Sequence, residues 1–297
     1  MPIARILERL TDRQRSDRFR REVVRVMNEA LTLGIAAQAG TLAIAEELKD
    51  SVLSIVARTD FEVFNLAVVN QNLEAAIGVF GSDMAALLSR VQGEGFEAGA
   101  AILDRGFRLA GVTLQISNIP QSQLLIIRAN NAELITRLND EVRRFIRGQI
   151  LLVNSGAQGL FNAQVQIANA LSTIPGAAKV GRFGSLTERA RAIVRTEVKS
   201  AQELAAHVRR EQYIRSGVEG LRKQWNFCFS RPGHLRLNGK DIPHDQRFQL
   251  RGADGILYRP LFPRDRWVLP AGESVNCAGV TLPVKRSWRE FDQEGKV

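Results

Sequence analysis

Residues 188–204, ERARAIVRTEVKSAQEL, read as one helix with a carboxylate on its apolar face. Ala190, Ile193, Val194, Ala201 and Leu204 recur at spacings of three, four and seven. At 3.6 residues per turn Glu197 falls in the middle of that stripe. A carboxylate left alone against a core is costly or takes up a proton, so a partner elsewhere in the chain is expected to meet it. Upstream, "GRFGSLTERA" lacks the lysine and preceding strand of a phosphate cradle; Ser185 or Thr187 with Glu188 reads as the helix start.

Arg231 and His234, in SRPGHLRLNG, are the cations expected to answer Glu197, because they open a stretch that could return a strand to this helix. A charge-assisted pair would hold the register of hairpin against helix, so Glu197, Arg231 and His234 are expected to form a structural lock. The alternative is acid/base work by Glu197 with His234. No nucleophile accompanies them, and no catalytic residue is expected. The chain has no Gly-x4-Gly-Lys-Ser/Thr loop, Gly-x-Ser-x-Gly elbow or His-Glu-x2-His pair.

Outward from this helix, the chain changes character near residue 225. Three of the nine prolines precede residue 230, while all three tryptophans, Trp225, Trp267 and Trp288, lie at or beyond the change. The earlier part carries helical periodicity over residues 4–57, with Gly34 and Gly40 as weak points, then from Asp60 to Val79, from Ser82 to about Arg108, and again through Leu134, Leu138, Val142 and Ile146. VTLQISNIPQSQ is a break. Two hairpins are expected later, one turning at Asn238-Gly239 and one at Asp254-Gly255. The expected fold is α+β: a helical arm or bundle over 1–122, a module over 123–283 with helices to about 224 and hairpins over 225–283, and a polar tail over 284–297 anchored by Trp288.

The net charge of +10 sits mostly at the end of the chain: residues 181–297 hold 22 Lys/Arg against 13 Asp/Glu. Such an excess suits a polyanion such as nucleic acid, or a solvated face. The two cysteines, Cys228 and Cys277, make no secreted-type disulfide framework, so a reducing compartment is expected. The charged start, MPIARILERLTDRQRSDRFRREVV, has no signal-peptide core, and no run of about 18 apolar residues occurs, so a soluble chain without a membrane partner is expected. Cys228, His234, His244 and Cys277 are the alternative set for a tetrahedral metal site. Their spacing, Cys-x5-His-x9-His-x32-Cys, has none of the tight pairs of such sites, so neither metal nor cofactor is expected. His207 reads as a surface residue of the long helix.

The order of elements is itself informative. The glycine-punctuated VRRFIRGQILLVNSGAQGLFNAQVQIANAL is followed by RARAIVRTEV, KQW, RPGHLRLNGKDIPHDQRF and NCAG. This order resembles the phage head-morphogenesis domain of Mu F-like minor head proteins over roughly residues 130–282. The matching positions are Arg195, Thr196, Glu197, Trp225, Arg231, His234, Gly239, Pro243, Phe248, Asn276 and Cys277. The family usually closes with Asn-Cys-Arg-Cys, whereas Ala278-Gly279 follow here, which suits a structural module.

The resemblance implies a non-enzymatic minor capsid (virion) protein of a tailed phage or phage-like particle. It would lie inside the head near the portal, be made in the host cytoplasm, and act in capsid assembly, DNA packaging or DNA delivery. Its implied partners are the portal protein and other head proteins, with non-specific contact to packaged DNA and self-association beside them. A basic DNA-binding or DNA-protecting protein is the second expectation, and a delivered effector or enzyme the third.

Overall fold

A computed structural model describes residues 10–61, 66–172, 185–229 and 231–288. Six helices come first: α1 (Asp12–Arg58), α2 (Leu66–Leu109), α3 (Gln121–Arg128), α4 (Asn131–Asn154), α5 (Leu160–Leu171) and α6 (Leu186–Arg215). Short elements follow: β1 (Leu221–Asn226), α7 (Pro232–Leu235), β2 (Asp241–Pro243), β3 (Leu250–Arg251), β4 (Leu257–Tyr258), α8 (Ala271–Ser274) and β5 (Val280–Lys285). The expected α+β class holds, with a long helical region followed by small antiparallel sheets.

The helices are longer than the sequence suggests. Gly34 and Gly40 are absorbed into α1, and the two helices expected on either side of Gly81 are one continuous α2. Glycine weakens a helix interior by about 1 kcal/mol. At Gly81 the missing side chain lets α4 approach, because a Cβ there would lie 2.3 Å from the Asn139 amide nitrogen. At Gly40 a Cβ would come within 3.1 Å of Leu87, whereas at Gly34 it would meet nothing within 4 Å, and without a proline the hydrogen-bonded ladder runs on at all three. Helix α6 begins as expected: the Ser185 hydroxyl accepts the Glu188 backbone N–H at 3.0 Å, an N-cap.

Contacts divide the chain into two compact units. One comprises Leu33–Gln92 and Leu125–Val198, and its core joins Val52, Leu73, Met84 and Leu88 to Leu138, Val142, Ile146 and Val194. The other comprises Met1–Thr32, Gly93–Leu124 and Lys199–Val297. Its core has one cluster around Phe19, Phe107, Tyr213 and Trp288 and another around Trp225, Phe248, Leu250, Cys228 and Cys277.

In this second unit β1 is the central strand of an antiparallel sheet ordered β2-β1-β5. Trp225 lies opposite Thr281, and Lys223 lies between Ile242 and Pro283. The hairpin expected at Asp254-Gly255 is present, with Leu250 paired to Tyr258. The one expected at Asn238-Gly239 is not. Pro232, with its fixed φ, opens the helical turn α7 where a strand was expected. Gly239, at φ +80°, then turns the chain so that β2 pairs with β1. Trp288 does anchor the end of the chain: it is buried, and its indole N–H donates to Ser16 Oγ at 2.7 Å. Residues 289–297 of the predicted tail and 4–9 of the predicted first helix lie outside the described residues.

Candidate functional site

Glu197 is buried, as its place in the stripe requires, but the expected lock does not form. Gln92 Nε2 donates to Glu197 Oε2 at 3.3 Å, and Gln92 exchanges two further hydrogen bonds with the Asn131 side chain, at 2.8 and 3.0 Å. Arg231 donates instead to the backbone carbonyls of Glu273 and Val275. His234 Nε2 is 2.9 Å from Glu273 Oε2. The helical turn α7 directs both side chains toward the α8 segment, which removes the lock and with it the acid/base reading of Glu197 with His234.

The chemistry-bearing side chains of the second unit form three neighbouring groups. The first consists of Cys228, His234 and Cys277, all buried. Cys228 follows the end of β1, His234 stands on α7, and Cys277 precedes β5. Their ligand atoms lie within 4.8 Å of one another. The two Sγ atoms are 3.5 Å apart, and Cys277 Sγ is 3.5 Å from His234 Nδ1. Both thiols are free. The hydrogen bond from Cys228 holds the Cys277 thiol below its usual range and, from the other side, pushes the Cys228 thiol up. His244, the fourth member of the alternative metal set, is elsewhere: its ring stacks on His207 with centroids 4.5 Å apart.

The second group is a buried ion network that the sequence reading missed. Glu203 on α6 accepts the Thr281 backbone N–H at 2.9 Å and also the Thr281 hydroxyl. Arg210, one heptad later on the same helix, donates to Thr281 Oγ1 at 2.9 Å. Arg264 Nη2 is 3.8 Å from Glu203 Oε1, while its Nη1 donates to the Cys277 carbonyl at 2.5 Å. Burial raises the Glu203 carboxyl above its ordinary range, against the opposing pull of Arg264. Burial also lowers Arg210 to about 10.

The third group is Lys223, His207 and His244. Strand alternation puts Lys223 on the same buried face as Leu221 and Trp225, where its ammonium has no hydrogen-bond partner among the described residues. Burial lowers Lys223 to about 7, His244 to about 4 and His207 to about 2. His207 is therefore packed against His244 and Phe262, which corrects its reading as a surface residue.

A pH dependence follows. Each of these groups binds a proton more weakly in the folded chain than in the unfolded one, so stability rises with pH wherever only the unfolded form is protonated. His207 contributes a rise from about pH 2 to 6.5, His244 one from about pH 4 to 6.5, and Lys223 a further rise from about pH 7 to 10.5. Lys223→Met is expected to raise stability at pH 6 by on the order of 1–4 kcal/mol and to flatten the alkaline rise. Thermal melts across pH, parent against variant, check both.

Comparison with family models, with curated proteins and with solved structures finds no match for this chain. Its own geometry therefore carries the functional reading. The remaining motif positions are distributed between the two units. Arg195 and Thr196 lie beside Glu197 on α6 in the first. In the second, Trp225 meets the His234 and Phe248 rings edge-on at 5.3 and 5.0 Å. Gly239 and Pro243 shape the turn into β2 and its end, and Asn276, at φ +57°, turns the chain into Cys277.

Proposed function

We propose that the chain is a structural minor head protein of a tailed phage or phage-like particle, bound at the portal vertex and acting in head assembly or DNA delivery. One observation carries this reading. Of the ordered motif set, Trp225, Phe248 and Cys277 share a single buried core, the His234 ring meets Trp225 edge-on, and Arg231 bonds the backbone carbonyls of Glu273 and Val275. Residues that a family-like motif spaces irregularly along the chain are thus joined in space as parts of a rigid module.

Exposed apolar side chains add support. Leu125 and Ile126 on α3, Leu151 and Leu152 at the end of α4, and Phe161 on α5 face solvent, with Phe161 74% exposed. Helices α4 and α5 pack on each other, so Leu151, Leu152 and Phe161 are exposed on neighbouring elements, which suits a surface covered by partner subunits. No helix among the described residues is long and apolar enough to cross a membrane. Co-expression with a portal protein from the same source tests the reading. A complex that survives size-exclusion chromatography is expected from the parent chain and lost or weakened in Phe161→Glu. Separate elution of the parent chain and portal counts against it.

A second reading, direct contact with DNA, is favoured by a cleft of about 420 Å³ lined by Arg231, Arg236 and Arg251 against one carboxylate, Glu273. Filter binding across salt separates the two readings. A phosphate footprint gives a steep fall of log affinity with log salt, and flat weak binding leaves the basic charge as a solvated face.

A further inference from the structure

We infer that Cys228, His234 and Cys277 bind a zinc ion, with Glu273 as the outer carboxylate that orients the histidine. This goes beyond the head-protein reading and does not depend on it. The donor separations are the first ground. Around a tetrahedral zinc with Zn–S of about 2.3 Å and Zn–N of about 2.0 Å, sulfur atoms sit about 3.8 Å apart and sulfur and nitrogen about 3.5 Å apart. The chain holds Sγ to Sγ at 3.5 Å and Cys277 Sγ to His234 Nδ1 at 3.5 Å, with all three donors within 4.8 Å of one another, before any ion is considered.

The surroundings are the second ground. A metal-bound histidine characteristically gives its other ring N–H to a carboxylate, which fixes the tautomer and leaves the free nitrogen facing the ion. His234 is arranged in this way: Nδ1 faces the sulfurs and Nε2 lies 2.9 Å from Glu273 Oε2. Glu273 is itself held, since its Oε1 accepts the Ala253 backbone N–H at 2.8 Å. The Gly279 N–H points at Cys277 Sγ at 3.4 Å, a contact that stabilises a thiolate.

Backbone geometry is the third. Phe227 and Asn276, the residues immediately before the two cysteines, both adopt left-handed conformations, at φ +62° and +57°. Such conformations are unfavourable for a bulky residue such as Phe227 and persist where the surroundings require them. At Gly279 a Cβ would fall 3.2 Å from Cys228 Cβ and 3.3 Å from Cys277 Sγ, so the absence of a side chain keeps the sulfurs uncrowded. Two thiolates and one imidazole are a donor set that selects zinc over magnesium or calcium. Three protein donors leave the fourth corner to a small ligand such as water. The ion would tie the end of β1, the α7 turn and the approach to β5 together.

The test uses the full untagged chain, purified under reducing conditions, with zinc counted by elemental mass spectrometry and Co²⁺ titrated as a spectroscopic probe. About one zinc per chain is expected, and Co²⁺ should give thiolate charge-transfer bands with the intense visible bands of tetrahedral coordination. Cys277→Ser and His234→Ala should lose the ion. Because these variants could also misfold, Glu273→Gln is the second arm: it keeps all three donors and should weaken zinc binding roughly 10–100-fold while the cobalt spectrum persists. Reduced parent chain that takes up neither zinc nor cobalt overturns the inference. So does a Cys228–Cys277 disulfide in the peptide map of freshly isolated protein, or equal zinc affinity in parent and Glu273→Gln.

Discussion

Glu203→Ala is expected to lower stability by on the order of 3–5 kcal/mol, because it leaves two buried guanidinium groups without their counter-charge. Arg210 and Arg264 are both essentially inaccessible to solvent. Glu203 also accepts two hydrogen bonds from Thr281 on β5, so the substitution strands a strand N–H as well as the cations. Denaturant unfolding of the single variants and the Glu203→Ala/Arg264→Ala double variant measures the coupling. The double variant should cost clearly less than the two singles added, since removing both charges removes the uncompensated ion. A Glu203→Ala midpoint equal to the parent's would show that this network does not hold α6 to the sheet.

Trp288→Ala should cost about 3–5 kcal/mol, the range for removing a large buried aromatic. The indole meets Phe19 and Phe107 edge-on, with centroids 5.6 and 5.8 Å away, and Phe107 in turn stacks on Tyr213 at 4.4 Å. Four aromatic rings from α1, α2, α6 and the segment after β5 thus share one core. Trp288→Phe keeps a ring in that core and gives up the hydrogen bond to Ser16, so it should cost about 1 kcal/mol in addition to any packing adjustment. Thermal unfolding ranks the three proteins. Equal melting of Trp288→Ala and the parent would mean that the C-terminal segment does not dock on α1.

The sequence made some of this legible and hid the rest for identifiable reasons. The burial of Glu197 follows from helical periodicity alone, and it is observed. One of its hydrogen bonds comes from Gln92, 105 residues earlier, and an uncharged amide gives no sign in a search for cations. Half of the ion network was readable in principle. Glu203 and Arg210 are seven apart on one helix and share a face, but Arg264 reaches them from a loop where its own φ is +66°, which no periodicity reports. Lys223 was readable too, since Leu221, Lys223 and Trp225 alternate with more polar neighbours and the buried face of a strand must include all three.

The unit boundaries could not be read linearly. They fall inside α1, α2, α3 and α6, where composition does not change. The Cys228, His234 and Cys277 cluster was hidden by its irregular spacing: the donors come from a strand end, a helical turn and a loop, and the fold supplies their proximity. His244 looked equivalent in sequence, but it immediately follows β2 and packs on α6 with His207.

The central claim is that the chain is a component of a particle. Quantitative mass spectrometry of purified particles from the source, before and after DNA release, tests it most directly. The account predicts a few to a dozen or so copies of this chain per particle, as expected for a component of a portal-vertex ring. Abundance in the cell lysate with absence from particles would contradict it and leave the soluble DNA-binding reading in its place.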